Sequence, residues 1–219
     1  MILAIHRIAS EGIKICPQQV FAYQAPGQMV IEVLDFASTI RPEKLKQRVG
    51  QGHPGSFYDF EKNDFDSIKG LSRLHDWLEA CLREAQQHIC WNKDHFPELT
   101  MTQSWLNISG LGHDHDMHVH PLSILSGVLC LSHHIKINLY VQSIYSLPTF
   151  LCPDQSDSCL LIKQAIELES GDLLLFPSSL RHGVSCHEEE ESRVTLSFNS
   201  FFTGTIGDAS LLAMLNRSP

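Results

Sequence analysis

The hydrophobic and polar positions of the chain follow different patterns before and after Pro97. In the first part, the most regular stretch runs from about residue 68 to residue 88, where apolar residues recur mostly at spacings of three and four. These positions form one stripe, and the opposite face carries lysine, arginine, aspartate and glutamate. The pattern predicts an amphipathic helix that packs as a buttress against a sheet.

Shorter patterns surround this helix. Gly27–Phe36 combines β-branched and apolar residues after a turn glycine and predicts an early strand. Residues 41–49, with Pro42 near their start, predict a short helix. Residues 51–67 are rich in Gly, Pro, Asn and Asp and predict a loop. The N-terminal part, residues 1–99, is therefore expected to be a mixed α/β elaboration.

After Pro97 the pattern changes to short β-rich segments separated by turn residues, with no helix between them. They are Thr100–Ser109, Ile124–Ser132, Ile135–Gln142, Cys159–Leu168, Asp172–Phe176 and Arg193–Phe202. Such a run predicts an antiparallel sandwich or barrel. We expect one domain over residues 1–219, mainly β with a helical buttress, with a β core at 100–203 and a C-terminal tail at 204–219.

Composition narrows the class of protein. The net charge of -9 argues against nonspecific binding to nucleic acid or to an anionic membrane. No apolar run is long enough to span a membrane, and we read no secretory signal. The seven cysteines form an odd set without a CxxC pair, which indicates reduced thiols and a cytoplasmic protein. The oligomeric state stays open, a homo-oligomer included.

The stretch HDHDMHVHP, residues 113–121, holds four histidines and two aspartates. On a strand, His118 and His120 share a face with Asp114 and Asp116 upstream, whereas residues 113 and 115 point away. Neutral imidazoles two positions apart can bind one metal ion at adjacent positions. The other interpretations are a polar loop and a metal-scavenging tract, although such tracts are usually longer.

A second segment, GDLLLFPSSLRHGV (171–184), leads from a turn glycine through an apolar strand to Pro177 and His182. The two segments give G-x5-H-x-H and G-x5-P-x4-H, the spacings of the two metal-binding strands in double-stranded β-helix proteins. His118, His120 and His182 are thus predicted to bind one metal at one end of a small barrel. A cupin would also need a glutamate at 124 or 125 and an asparagine at 186, where this chain has Ile, Leu and Cys.

Four motifs combine over residues 100–202: SWLNISG (104–110), HVHPLSILSGVLCL (118–131), GDLLLFPSSLRHGV and SRVTLSFNSFF (192–202). Together they resemble a family of small 2-oxoglutarate and iron(II)-dependent oxygenases. The resemblance implies a double-stranded β-helix (jelly-roll) core, Fe(II) as the metal and 2-oxoglutarate as co-substrate. The implied reaction is a hydroxylase-type oxidation of an unidentified small-molecule or peptidyl substrate, with oxidative decarboxylation of 2-oxoglutarate.

The last motif places Arg193, Thr195, Ser197 and Asn199 on one face of a strand, which argues for a polar ligand inside the barrel. The resemblance implies that Arg193 binds the distal carboxylate of 2-oxoglutarate with help from Thr195. The other interpretation of Arg193 is a surface cation. On the preceding strand, we expect Trp105 to serve in packing, with Asn107 a weaker candidate for the pocket. His133, His134 and His187 are expected in loops or at the surface.

The chain departs from the commonest oxygenase pattern, two histidines and one carboxylate. His120 stands where that carboxylate would be, so either the site has three histidines or Asp116 supplies a ligand. A three-histidine site keeps open a cupin-type metal enzyme that does not use 2-oxoglutarate. A non-catalytic metal- or ligand-binding protein is the third alternative, in which residues 113–120 would bind zinc or nickel independently of His182.

Overall fold

The structure is a computed structural model that describes residues 2–4, 13–15, 18–40, 55–57, 71–89, 98–142, 161–208, 210 and 213–217. The predicted short helix at 41–49 and most of the predicted loop at 51–67 lie outside these residues. The helices are α1 (Gly27–Ser38) and α2 (Ser72–His88). The strands are β1 (Ile2–Ala4), β2 (Ile13–Ile15), β3 (Gln18–Gln24), β4 (Gly55–Phe57), β5 (Leu99–Ser109), β6 (His115–His118), β7 (Leu125–Cys130), β8 (Ile135–Gln142), β9 (Leu161–Leu168), β10 (Asp172–Pro177), β11 (Arg181–Val184), β12 (Arg193–Phe202), β13 (Gly204–Asp208) and β14 (Ala213–Arg217).

Two packed sheets form the body of the protein. The larger sheet has the order β2-β3-β10-β7-β12-β5-β4, and the smaller has the order β1-β9-β8-β11-β6. Strand β1 pairs with β9 in parallel, and the other recorded pairings are antiparallel. The predicted class, mainly β with a helical buttress, is confirmed. The segment expected as a C-terminal tail contains the hairpin β13–β14.

The alternation of side chains along the larger sheet separates two cores. On β10, Leu173 and Leu175 pack on the side of the helices, whereas Leu174 and Phe176 pack between the two sheets. All four side chains are fully buried. A strand covered on both faces needs a continuous apolar sequence, which explains the run LLLF. The larger sheet is therefore the central layer of the molecule.

Helix α2 confirms the predicted buttress, with Leu74, Leu78 and Leu82 buried against the larger sheet. It also makes a polar contact with that sheet, because the buried Glu79 Oε1 accepts a 2.7 Å hydrogen bond from the backbone N–H of Met101. This bond satisfies a main-chain donor near the start of β5. The helix thus fixes the strand that leads to the candidate site.

The predicted strand at Gly27–Phe36 is wrong, because these residues form helix α1. Val30, Val33 and Ala37 are buried, at spacings of three and four that place them on one helical face. The valines and isoleucine of GQMVIEVLDF favour a strand by composition and conceal the helical spacing. Because this preference is weak, tertiary packing overrides it. Pro26 directly precedes the helix, where the absence of its N–H costs no helical hydrogen bond.

Candidate functional site

The candidate site begins where two short strands from distant parts of the chain pair. His182 of β11 lies opposite His118 of β6, and the register shifts between residues 182 and 184. A Cβ atom on Gly183 would lie 2.8 Å from the carbonyl oxygen of His115, closer than side chains pack. Glycine at this position therefore lets β6 approach β11 closely and brings the two histidine segments together.

Three imidazoles meet at this pairing. His118, His120 and His182 each offer a ring nitrogen, and these three nitrogens lie within 4.8 Å of one another. The Nε2 atoms of His120 and His182 are 3.1 Å apart. Two nitrogens bound at right angles to one metal at about 2.1 Å would be about 3.0 Å apart. The three histidines therefore have the spacing of ligands that share one ion.

Backbone carbonyls orient two of these rings. Nδ1 of His118 donates to the carbonyl oxygen of Asp116 at 2.7 Å, and Nδ1 of His182 donates to that of Leu180 at 2.8 Å. A proton on Nδ1 leaves the lone pair of Nε2 free to bind a metal. Burial lowers the pKa of His182 to about 4, despite the opposing hydrogen bond to Leu180. His182 is therefore neutral at pH 7, the form that binds metals.

Aromatic rings pack beside two of the three histidines. The ring centroid of Phe176 lies 4.5 Å from that of His182, and the centroid of Trp105 lies 5.7 Å from that of His120. Trp105 thus lines the cavity beside the histidines, although packing was its expected role. An apolar wall around a metal site lowers the local dielectric and limits the access of water.

The histidines and the end of β12 share one cavity of about 260 Å³. Arg193 lines it and is 3% exposed, so it is not a surface cation. Burial lowers the pKa of the Arg193 guanidinium. Among the described residues, no hydrogen-bond acceptor is recorded for its buried Nε atom. A buried guanidinium with an unused donor favours binding of an anion in the cavity.

Next to Arg193 the cavity wall is polar. Asn107 Nδ2 donates to Thr195 Oγ1 at 3.4 Å and to Ser197 Oγ at 3.1 Å. Thr195 and Asn107 are buried, and all three line the cavity. The predicted polar face of β12 is therefore found at the cavity, and the weaker candidate Asn107 belongs to it. The fourth residue of that face, Asn199, is not among the residues that line the cavity.

The two aspartates of the stretch 113–121 do not belong to the group of adjacent ligand atoms that the three histidines form. Among the described residues, the group of adjacent ligand atoms contains no carboxylate. Asp116 lies at the cavity but is exposed, and its recorded contact with the triad is made through its backbone carbonyl. His115, expected to point away, also lines the cavity. His113 accepts a hydrogen bond from the backbone N–H of Gly110, outside the triad.

The remaining histidines near the site have other contacts. His133 and His134 each approach one carboxylate oxygen of Glu189, at 2.9 Å and 3.2 Å. His187 lies in a loop, one of its two expected settings, but is 3% exposed, and its Nε2 donates to the backbone carbonyl of Glu191. Its backbone also bonds with His113 and Gly112, which anchors the turn before β6. None of these three histidines joins the triad.

Residues 103–199 match the sequence profile of a family described as "Putative 2OG-Fe(II) oxygenase". The match includes His118, His120, His182, Arg193 and Thr195. Over this segment the chain is similar to that oxygenase family. The resemblance inferred from the four motifs is thereby confirmed, over less than half of the chain's length.

Solved structures are similar in fold to most of the chain. The α-ketoglutarate-dependent carbocyclase SnoK from nogalamycin biosynthesis superposes with a TM-score of 0.65 and 9% identity, covering 98% of this chain and 94% of its own. HygX from Streptomyces hygroscopicus, with nickel and 2-oxoglutarate bound, has a TM-score of 0.56 and 14% identity over 83% of this chain and 82% of its own. A Pseudomonas putida prolyl-4-hydroxylase has a TM-score of 0.55 and 12% identity, over 82% of this chain and 91% of its own. At these identities the likeness shows the fold, and the predicted jelly roll is confirmed.

The curated proteins contain no relative that matches significantly. In the described part of the chain, neither helix is long and apolar enough to cross a membrane.

Proposed function

We propose that the protein is an Fe(II)- and 2-oxoglutarate-dependent oxygenase. It oxidises an organic substrate in a hydroxylase-type reaction: one oxygen atom of dioxygen is added to the substrate, and the other enters the succinate that forms, together with carbon dioxide, from 2-oxoglutarate. The observation that carries the proposal is that a buried, incompletely paired Arg193 shares one cavity with three converging histidines. Structural neighbours described with nickel or iron and 2-oxoglutarate or α-ketoglutarate bound support it.

His118, His120 and His182 are the proposed ligands of the iron. The donor set fits a divalent transition metal, because imidazole nitrogens suit iron, zinc, copper and nickel, and two of the rings are held with Nε2 toward the site. Three ligands leave coordination positions for a co-substrate and dioxygen. Bound iron would supply the redox chemistry, whereas the chain orients its imidazoles and keeps water from the site.

Arg193 and Thr195 are the proposed contacts of the distal carboxylate of 2-oxoglutarate. The guanidinium can form a charge-assisted fork with a carboxylate, and the hydroxyl of Thr195 lies two residues along the same strand face. Because Arg193 is buried without a full set of partners, an anionic ligand would satisfy a group that otherwise destabilises the fold. With its distal carboxylate at Arg193, the co-substrate would extend its keto-acid end toward the histidines across the cavity.

The proposal is tested by anaerobic titration with Fe(II), with and without 2-oxoglutarate. We expect a visible charge-transfer band only when metal and co-substrate are both present. His182→Ala should remove the band through loss of the metal, and Arg193→Met should remove it at 2-oxoglutarate concentrations that saturate the wild type. Iron binding by the wild-type protein without any such band would contradict the assignment of the co-substrate.

A second function is favoured by one observation, the lack of a carboxylate in the described histidine group. An iron site with three neutral imidazole ligands would have a net charge one unit more positive than a site with two histidines and a carboxylate. A cupin-type enzyme that does not use 2-oxoglutarate would have such a site. It would show metal-dependent activity that is indifferent to 2-oxoglutarate and to Arg193→Met, so that variant and the omission of 2-oxoglutarate distinguish the two proposals.

The compartment is also part of the proposal. Cys81, Cys130 and Cys186 are unbonded thiols in the described part of the chain, and burial raises the pKa of Cys81 and of Cys130 to about 12. Reduced, unreactive thiols support a location in the cytoplasm. Cell fractionation with a tagged chain would test this.

A further inference from the structure

A group of five polar side chains, all buried except the half-buried Ser123, lies outside the cavity, between the loop that carries His120 and the loop that leads to His182. It consists of Ser123, Ser126, Ser178, Asn199 and Ser200, here called the hydroxyl network. Ser178 and Ser200 have no exposed surface, and none of the five lines the cavity. The large majority of such deeply buried polar groups in proteins are hydrogen-bonded.

The network is continuous. Ser178 Oγ donates to Ser123 Oγ at 2.7 Å and lies 2.8 Å from Ser126 Oγ. Ser126 Oγ donates to Asn199 Oδ1 at 2.9 Å, which joins the network to β12. Ser123 Oγ donates to the carbonyl of Ser200 at 3.1 Å. Ser178 is therefore the central member, in contact with the loop after β6 and with β7.

The network contacts the turn that carries His120, the one proposed metal ligand that lies outside a strand. Strand β6 ends at His118, so His120 lies in the turn between β6 and β7. Its backbone N–H donates to the carbonyl of Ser178 at 3.0 Å, and the N–H of Ser178 donates to Ile124 at 3.0 Å. Within this turn Leu122 has a φ of 56° and is 90% exposed. A leucine in the left-handed region is strained and persists only where surrounding contacts impose it.

Ser178 also lies at the start of the segment that orients His182. The N–H of Leu180 donates to the carbonyl of Pro177 at 2.9 Å, and the carbonyl of Leu180 accepts from His182 Nδ1. Ser178 lies inside this tight turn. A shift of Ser178 would therefore change the separation of the His120 and His182 imidazoles, which is 3.1 Å between their Nε2 atoms.

We propose that the hydroxyl network is the positioning device of the metal site, with Ser178 as the residue that fixes His120 relative to His182. The inference rests on the proposed function, because it presupposes that the three histidines bind a metal. The network acts through the backbone of the ligand-bearing turns and does not touch the metal. Polar networks outside the ligand sphere typically change metal affinity by about 10- to 100-fold.

The test compares Ser178→Ala with Ser104→Ala. Ser104 is a matched control because it is buried to 2% exposure, does not line the cavity and has no recorded hydrogen-bond partner for its hydroxyl in the described structure. Both variants are titrated with Co²⁺, and the Tm of each metal-free protein is measured. We expect Ser178→Ala to raise the Kd for Co²⁺ about 10- to 100-fold, with an altered Co²⁺ absorption spectrum. Ser104→Ala should keep the wild-type Kd and spectrum.

The outcomes separate the inference from the proposed function. Equal Kd values and spectra for Ser178→Ala and wild type would overturn the positioning role while leaving the metal site intact. Co²⁺ binding by the wild type that His182→Ala does not weaken would overturn the metal site itself. If Ser178→Ala does not fold, Ser126→Ala tests the same role, because it removes the contact of Ser178 with Ser126 and the bond from Ser126 to Asn199. A wild-type spectrum and affinity in that variant would equally contradict the inference.

Discussion

The two faces of the larger sheet have opposite chemistry although they belong to the same strands. On the side of the helices, Leu106 of β5 and Leu196 of β12 are buried in an apolar core. On the other side, a residue adjacent to each of these in sequence, Asn107 and Thr195, lines the cavity. The first face is packed with hydrocarbon throughout, whereas the second has an apolar core of its own but is polar where β5 and β12 border the cavity. The comparison suggests that stability and binding are separable, residue by residue, along one strand.

The largest expected effect concerns the cavity face. Replacing His182 by alanine should abolish metal binding, with a loss of affinity beyond about 100-fold, because a direct ligand outweighs the contribution of surrounding groups. Isothermal titration with Co²⁺ or Ni²⁺ measures it. His134→Ala is the matched control, since His134 is an exposed histidine paired with Glu189 and outside the triad. Binding that survived in His182→Ala would favour the separate site at residues 113–120.

The helix-facing side should respond in the opposite way. Leu129→Ala should lower the free energy of unfolding by about 2–5 kcal/mol, because it leaves a cavity in the core between the larger sheet and the helices. Urea unfolding measures the change, and Co²⁺ affinity of the folded protein should stay at the wild-type value. Ile162→Ala, at an apolar residue that is 56% exposed, should have little effect on either. A loss of Co²⁺ affinity in Leu129→Ala would show that the two faces are coupled.

Arg193→Met tests whether a binding group also stabilises the protein. We expect 2-oxoglutarate to bind about 10- to 150-fold more weakly, as charge-assisted hydrogen bonds contribute about 1.5–3 kcal/mol. The ligand-free protein should be no less stable than the wild type, because methionine removes a buried charge. Ligand-induced shifts in Tm and urea unfolding provide the two measurements. Arg181→Met, at an exposed position, is the control and should change neither value.

The smallest expected effect is a dependence of stability on pH. The pKa of His182 is about 4 in the fold and near 6.5 when the residue is exposed, so the unfolded chain takes up a proton first as pH falls. The contribution of His182 is complete above pH 6.5 and is lost as pH falls toward 4, by up to about 2 kcal/mol at pH 5. Urea unfolding of metal-free protein at pH 7.5 and pH 5 measures it. His182→Gln should show a smaller drop, and an equal drop would contradict this origin.

The predictable parts of the molecule were those with a clear period. The strands at Ile135–Gln142 and Arg193–Phe202 have the bounds predicted from the sequence, because β-branched and alternating residues end at turn residues there. Helix α2 begins at Ser72 instead of about residue 68 and ends at the predicted His88. Helix α1 was predicted as a strand because its β-branched composition favours a strand, whereas the spacing of its buried residues is helical. Packing against the sheet stabilises the helix.

The part of the site that depends on the spacing of residues within sequence motifs could be predicted. The meeting of His118, His120 and His182 followed from two motifs, and the structure brings their nitrogens together. The exposure of Asp116 and the contribution of Trp105 to the cavity were not predictable, because they depend on the bulge between residues 182 and 184 and on where β6 ends. The hydroxyl network left no sequence signal, since single serines in turns look alike whether buried or exposed.

The distance along the chain between the proposed ligands has a consequence for folding. His120 and His182 are 62 residues apart in sequence but adjacent in space, so the unfolded chain cannot present them together. A metal ion that needs both would bind the native topology almost exclusively, and its occupancy would add about 2.7 kcal/mol at a concentration 100 times its Kd. The supply of iron in the cell would then set how long the chain survives proteolysis, as well as how much of it is active.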